Sequence, residues 1–155
     1  MDLNKLVTQE NSETGVWFPV ELYGKPADFD LLILGDDSDI VQQHSRAKMK
    51  KLRGLAEKEK KNKGEEFSDE TIDEMLESSD EDVIIRIAGI RGWKVVRKNS
   101  KVISNEPEPV TLNGKELGNN KESYKLLITK IPAIKEFVLS KARDRTNFLS
   151  EQSKN

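Results

Sequence analysis

The stretch Gly15-Val16-Trp17-Phe18-Pro19-Val20-Glu21-Leu22, followed by Phe29-Asp30-Leu31-Leu32-Ile33-Leu34, decides how the chain is read. In the first segment Val16, Phe18, Val20 and Leu22 alternate with Trp17, Pro19 and Glu21, the period of a half-buried strand. In the second, Phe29, Leu31 and Ile33 alternate with Asp30, Leu32 and Leu34. Tyr23-Gly24-Lys25-Pro26-Ala27 lies between them and carries turn chemistry. A β-hairpin is expected, with Pro19 placing its strand at an edge. Two strands alone are marginal, so the hairpin must lean on helices or on another chain.

Downstream the pattern changes to helical spacing. Asp36-Asp37-Ser38-Asp39 supplies N-cap residues and favourable negative charge for a helix from about Ser38 to Lys61, stopped by Asn62-Lys63-Gly64. A second helix is expected from Ser68, its cap, with Ile72, Met75, Leu76, Val83, Ile87 and Ile90 on one stripe. Trp93, just after Gly89 and Gly92, reads as a core plug. Residues 97–118 read as an irregular loop, punctuated by Pro107, Pro109 and Asn113-Gly114, with a short extended piece at Val110-Thr111-Leu112. Asn119 or Asn120 can cap a third helix through Ile131, and Pro132 breaks it and starts a fourth. The expected fold is therefore α+β, predominantly helical with an N-terminal β-hairpin. One domain would span residues 15–149, with a flexible stretch at 1–14 and a disordered tail at 150–155.

The 155 residues are enough for one domain with a core. Apolar and charged residues each make up 35%, against about 45–50% and about 25% in ordinary domains. That is a lean core under a very polar surface. A net charge of -2 gives no global field toward nucleic acid or anionic lipid. The absence of cysteine removes disulfide scaffolds, thiolate zinc sites and cysteine nucleophiles. No apolar run approaches the ~20 residues of a membrane span. The start, Met1-Asp2-Leu3-Asn4-Lys5, lacks the pattern of a secretory signal, so a cytosolic protein is expected.

Two opposite charge blocks are the main compositional feature. Arg46, Lys48, Lys50, Lys51, Arg53, Lys58, Lys60, Lys61 and Lys63 are diluted only by Glu57 and Glu59. Glu65, Glu66, Asp69, Glu70, Asp73, Glu74, Glu77, Asp80, Glu81 and Asp82 follow with no cation among them. The blocks fit a solvated helical hairpin, a charged surface for partners or self-assembly, or a nucleic-acid helix. The acidic block weighs against the last, since it repels phosphate within about 8–10 Å.

Candidates for chemistry fall away one by one. His44 is the sole histidine and cannot nucleate a transition-metal site. The carboxylate pairs Asp73/Glu77 and Glu70/Glu74 lie on a strip of like charge, not in the apolar pocket that acid–base work needs. Asp37-x-Asp39 lacks the rest of a calcium loop. Gly89-x-x-Gly92 lacks the strand–helix setting of a phosphate cradle. No catalytic, metal or cofactor site is expected. Trp17 lies opposite Val16 and Phe18, so the hairpin is covered on both faces or Trp17 is exposed for a partner.

In order, Gly15-Val16-Trp17-Phe18-Pro19-Val20, Phe29 to Gly35, a charged helix, Ile84 to Trp93, Leu126 to Pro132, and a final helix ending Ala142 to Phe148 resemble the tail assembly chaperones of long-tailed bacteriophages. The resemblance covers roughly residues 15 to 149. The chain departs from that family by a charged insertion at about 46–82 and by its 97–118 loop. The resemblance implies a non-enzymatic protein that coats the helical tape measure protein, keeps it soluble and helps recruit tail tube protein. It also implies a place in the host cytoplasm and absence from the finished virion. Self-association is expected from many copies along one filament, a membrane partner is not, and nucleic acid is disfavoured. Candidate partner-binding residues are Trp17, Phe18, Tyr23, Lys48, Lys51 and Arg53. The competing classes are a structural tail or head–tail joining protein, which would remain in particles, and a nucleic-acid-binding regulator using the basic helix.

Overall fold

Tyr23 and Gly24 both hold positive φ, 56° and 75°. That is the backbone of a two-residue turn whose twist matches two antiparallel strands. In the computed structural model, which describes residues 2–61 and 69–149, the turn joins β1 (Val16–Leu22) to β2 (Lys25–Ile33). Val16 lies opposite Ile33 and Leu22 opposite Lys25. Lys25-Pro26-Ala27, expected in the turn, belong to β2.

The expected fold is overturned beyond this pair. The chain is not predominantly helical with an N-terminal hairpin. It carries a four-stranded antiparallel sheet in sequential order, and a helix precedes the first strand. β3 (Ile87–Lys98) pairs with β2, and β4 (Lys101–Glu108) pairs with β3. Ile87 and Ile90, assigned to the second helix, and most of the 97–118 loop are strand. The physical reason lies at residues 83–90. Val83, Ile87 and Ile90 satisfy helical spacing, but the β-branched run favours the pleated sheet and Gly89 weakens a continued helix. Asn99 and Ser100, with φ of 54° and 65°, then make the turn to β4 that the loop reading passed over. A small β5–β6 ribbon (Thr111–Leu112 with Lys115–Glu116) turns at Asn113-Gly114.

The helices are α1 (Gln9–Thr14), α2 (Asp39–Lys61), α3 (Asp69–Ile84), α4 (Lys121–Lys130) and α5 (Ala133–Arg143). Short 3-10 turns cover Leu3–Leu6 and Arg145–Phe148. The expected stop at Asn62-Lys63-Gly64, the Ser68 cap and the tail from Ser150 lie outside the described residues. α4 is capped by Asn120, whose side chain accepts from the Ser123 amide at 2.8 Å. Asn119 instead accepts from the Ile90 amide, also at 2.8 Å, tying the start of α4 to β3.

One face of the sheet is dry. Phe29, Leu31 and Ile33 from β2, with Ile87 and Ile90 from β3, meet Tyr124, Leu127 and Ile128 of α4 and Ile134, Val138 and Ala142 of α5. Each fully buried aliphatic side chain there contributes about 1.5–3 kcal/mol of transfer free energy. Tyr124 is buried with them, which pushes its phenol above its ordinary value.

Both outer strands are blunted. β1 carries Pro19, and its register slips between Pro19 and Glu21. β4 carries Pro107 and a second slip, where Val96 faces Ser104 but Arg97 faces Val102. Proline removes a donor and a bulge twists the edge away from further pairing.

The two ends of the chain are tied together. Asn11 Nδ2 donates to the Leu149 carbonyl at 2.8 Å. Asp37 accepts from Thr8 Oγ1 and from Arg145 Nε, the latter at 3.0 Å. The Arg145 guanidinium first, and then the Thr8 hydroxyl, hold the Asp37 carboxyl below its usual value. Its folded value lies below the unfolded one, so the stabilisation is present above about pH 4 and is lost as pH falls through the lowered value. Protection factors of the amides at residues 8–14, which correct for the intrinsic pH dependence of exchange, should therefore fall below about pH 4, and in Asp37→Asn they should already be low at neutral pH.

Candidate functional site

Strand periodicity sends Trp17, Pro19, Asp30, Leu32, Arg91 and Trp93 to the sheet face opposite the core. The pairings Trp17 with Leu32, Pro19 with Asp30, Asp30 with Arg91 and Leu32 with Gly89 place them in adjoining rows. The Trp17 indole reaches across β2 and lies over Gly89, where a Cβ would sit 3.0 Å from the ring. Glycine lets the ring approach this closely.

Arg91 binds this face together. Its guanidinium carbon lies 4.2 Å from the Trp17 ring centroid and 5.5 Å from that of Trp93. Both are cation–π distances. Its Nε donates to Asp30 Oδ2 at 2.7 Å, and the Trp93 Nε1–H donates to the same oxygen at 2.9 Å. Asp30 is nearly buried while Arg91 is 44% exposed at the side chain. The carboxylate thus orients two donors and leaves the guanidinium partly exposed. Farther along, Arg97 grips Asp28 through two hydrogen bonds, one of them Nη1 to Oδ2 at 2.9 Å. The Arg97 hydrogen bonds hold the Asp28 carboxyl below its usual value.

Beside the cluster is a hollow of about 380 Å³, lined by Trp17, Pro19, Arg91, Trp93, Val95 and Val102 among others. Every lining residue belongs to a strand, and no described helix contributes to it. The arrangement presents flat aromatic and aliphatic surface with one oriented cation. It suits the docking of another polypeptide, because rigid aromatic and Arg side chains concentrate binding energy at such contacts.

The other sequence candidates are scattered. Phe18 turns to the core side, where its ring stands edge-on to Phe148 with centroids 6.3 Å apart. Tyr23 is 84% exposed at the β1–β2 turn. Lys48 pairs with Asp82, while Lys51 and Arg53 point to solvent from α2. Only Trp17 reaches the hollow. Arg91, Asp30 and Trp93 were not among the candidates. Their signal was Arg91-x-Trp93 at strand period, hidden by the helical assignment of that segment.

Trp93, read from sequence as a core plug, is half-buried on the outer face. Trp93→Ala should therefore cost about 1–2 kcal/mol in chemical denaturation, a partial-burial loss, and not the 3–5 kcal/mol or so of a core truncation. A larger loss would place the indole in the interior.

Among the described residues no helix is long and apolar enough to cross a membrane, and no group of three His, Asp or Glu side chains could hold a metal. No family model, curated protein or solved structure matches the chain.

Proposed function

We propose that the chain is a non-enzymatic, polypeptide-binding assembly protein that uses the open face of its sheet to hold a client. The observation that carries this reading is the Trp17–Arg91–Trp93 cluster, beside a hollow to which no described helix contributes. An amphipathic client helix can lay its apolar stripe across the indoles and Val95, while the remaining N–H donors of the partly exposed Arg91 meet a carboxylate on its flank. In keeping with the resemblance, the client is a phage tape measure protein, whose apolar stripes are exposed until the tail tube surrounds it. The charged helices of the chaperone would keep that complex soluble while tube subunits are recruited.

The test is co-expression with a tape measure protein. The client should become soluble and co-purify, and Trp17→Ala should weaken binding about thirtyfold, a loss of about 2 kcal/mol at an aromatic anchor. Folding should be affected less than binding. A client equally insoluble with and without the chain would end this reading, as would Trp17→Ala binding like the parent. Recovery of the chain as a stoichiometric component of purified particles would favour a structural virion protein.

A further inference from the structure

α2 and α3 form a two-helix arm whose ion pairs among the described residues lie at its base. His44 Nε2 lies 2.8 Å from Asp82 Oδ1, Lys48 holds the other oxygen of Asp82, and Asp80 is taken by Lys135 of α5. Farther out, Lys50, Lys51, Arg53 and Lys58 on α2 form no ion pair among the described residues, and neither do Asp73, Glu74 and Glu77 on α3. Each helix therefore repels itself: Asp73/Glu77 and Glu77/Glu81 are like charges at i,i+4, a spacing that destabilises a helix. Apolar side chains sit inside each charged field. On α3, Ile72 is 44% and Leu76 62% exposed, one turn apart and each followed directly by a carboxylate, Asp73 and Glu77. On α2, Met49 is 54% exposed, with Arg46, Lys50 and Arg53 on its own stripe.

We infer that this arm is a self-association surface, and that its occupant is the same arm of a second copy. A two-fold pairing places the basic Met49 stripe of one chain on the acidic Ile72/Leu76 stripe of the other, and repeats the contact by symmetry. The charges that a single chain leaves facing solvent are complementary between two chains. Apolar contact supplies affinity and the opposite fields set the orientation. The surface shares no residue with the Trp17–Arg91–Trp93 cluster, so it stands independently of the client held there.

Light scattering at about 100 µM chain should find a dimer that dissociates on dilution. Lys50→Glu with Arg53→Glu should weaken it about tenfold or more, since like fields then face each other, and Asp73→Lys with Glu77→Lys should do the same. Mixing the two charge-reversed variants should restore a dimer, because each reversed helix then meets its opposite. Leu76→Ser, at a side chain that folding leaves exposed, should weaken association without lowering the melting temperature. A parent chain that stays monomeric would overturn the inference. So would two folded, charge-reversed variants that remain monomeric when mixed, because the charges would then act within one chain.

Discussion

Phe148→Ala is expected to lower unfolding free energy by about 3–5 kcal/mol, the range for deleting a buried aromatic ring. Phe148 is 1% exposed although it lies beyond the last α-helix, in a 3-10 turn. Its ring meets Phe18 of β1 edge-on and approaches Gly35, where a Cβ would lie 3.1 Å from it. It thus closes the sheet, the link into α2 and the C-terminal turn into one contact. Removing it leaves a cavity that these three segments cannot fill together, because each is held by its own hydrogen bonds. The Gly35 amide donates to the Ser12 carbonyl at 3.1 Å and that of Asp36 to Ala142 at 3.0 Å. Denaturant titration of the variant measures the loss, and a change under about 1 kcal/mol would mean that the C-terminal turn is dispensable.

Gly92→Val is expected to cost about 3 kcal/mol, at the upper end of overpacking effects. A Cβ at Gly92 would collide with the Glu108 carbonyl and stand 2.7 Å from Val110 Cγ2. The first obstacle is backbone, so no rotamer change relieves it. Strand β4 and the segment leading into the β5–β6 ribbon would have to move away from β3. Loss of amide protection should concentrate at residues 92–94 and 106–110, while α4 keeps its protection. Uniform loss would indicate global unfolding instead.

The outcome at Gly92 explains part of what the sequence concealed. The β1 and β2 alternation was legible because each strand has one wet and one dry face, and Asp30 interrupts the apolar residues on schedule. β3 was not, since Val83, Ile87 and Ile90 continue the stripe begun by Ile72 and Met75 across a change of backbone. Periodicity cannot register a switch of element when the apolar spacing runs on across it, although Ile72 and Met75 are exposed while Val83, Ile87 and Ile90 are buried. Gly89 and Gly92 looked like helix weakeners, whereas one lies beneath the Trp17 ring and the other beside the Glu108 carbonyl. For the candidate site, Trp17 was found from its alternation. Its neighbours Arg91 and Trp93 come from 74 and 76 positions later, and only sheet pairing brings them to it.

The prolines and register slips at β1 and β4 bear on the proposed work beside aggregation-prone chains. Cross-β growth needs a run of free amides and carbonyls onto which each arriving strand can add. With that template interrupted at either flank, a misfolded neighbour finds nothing to copy. On the proposed function, such edges would let the chain gather around an insoluble client without being drawn into its deposits.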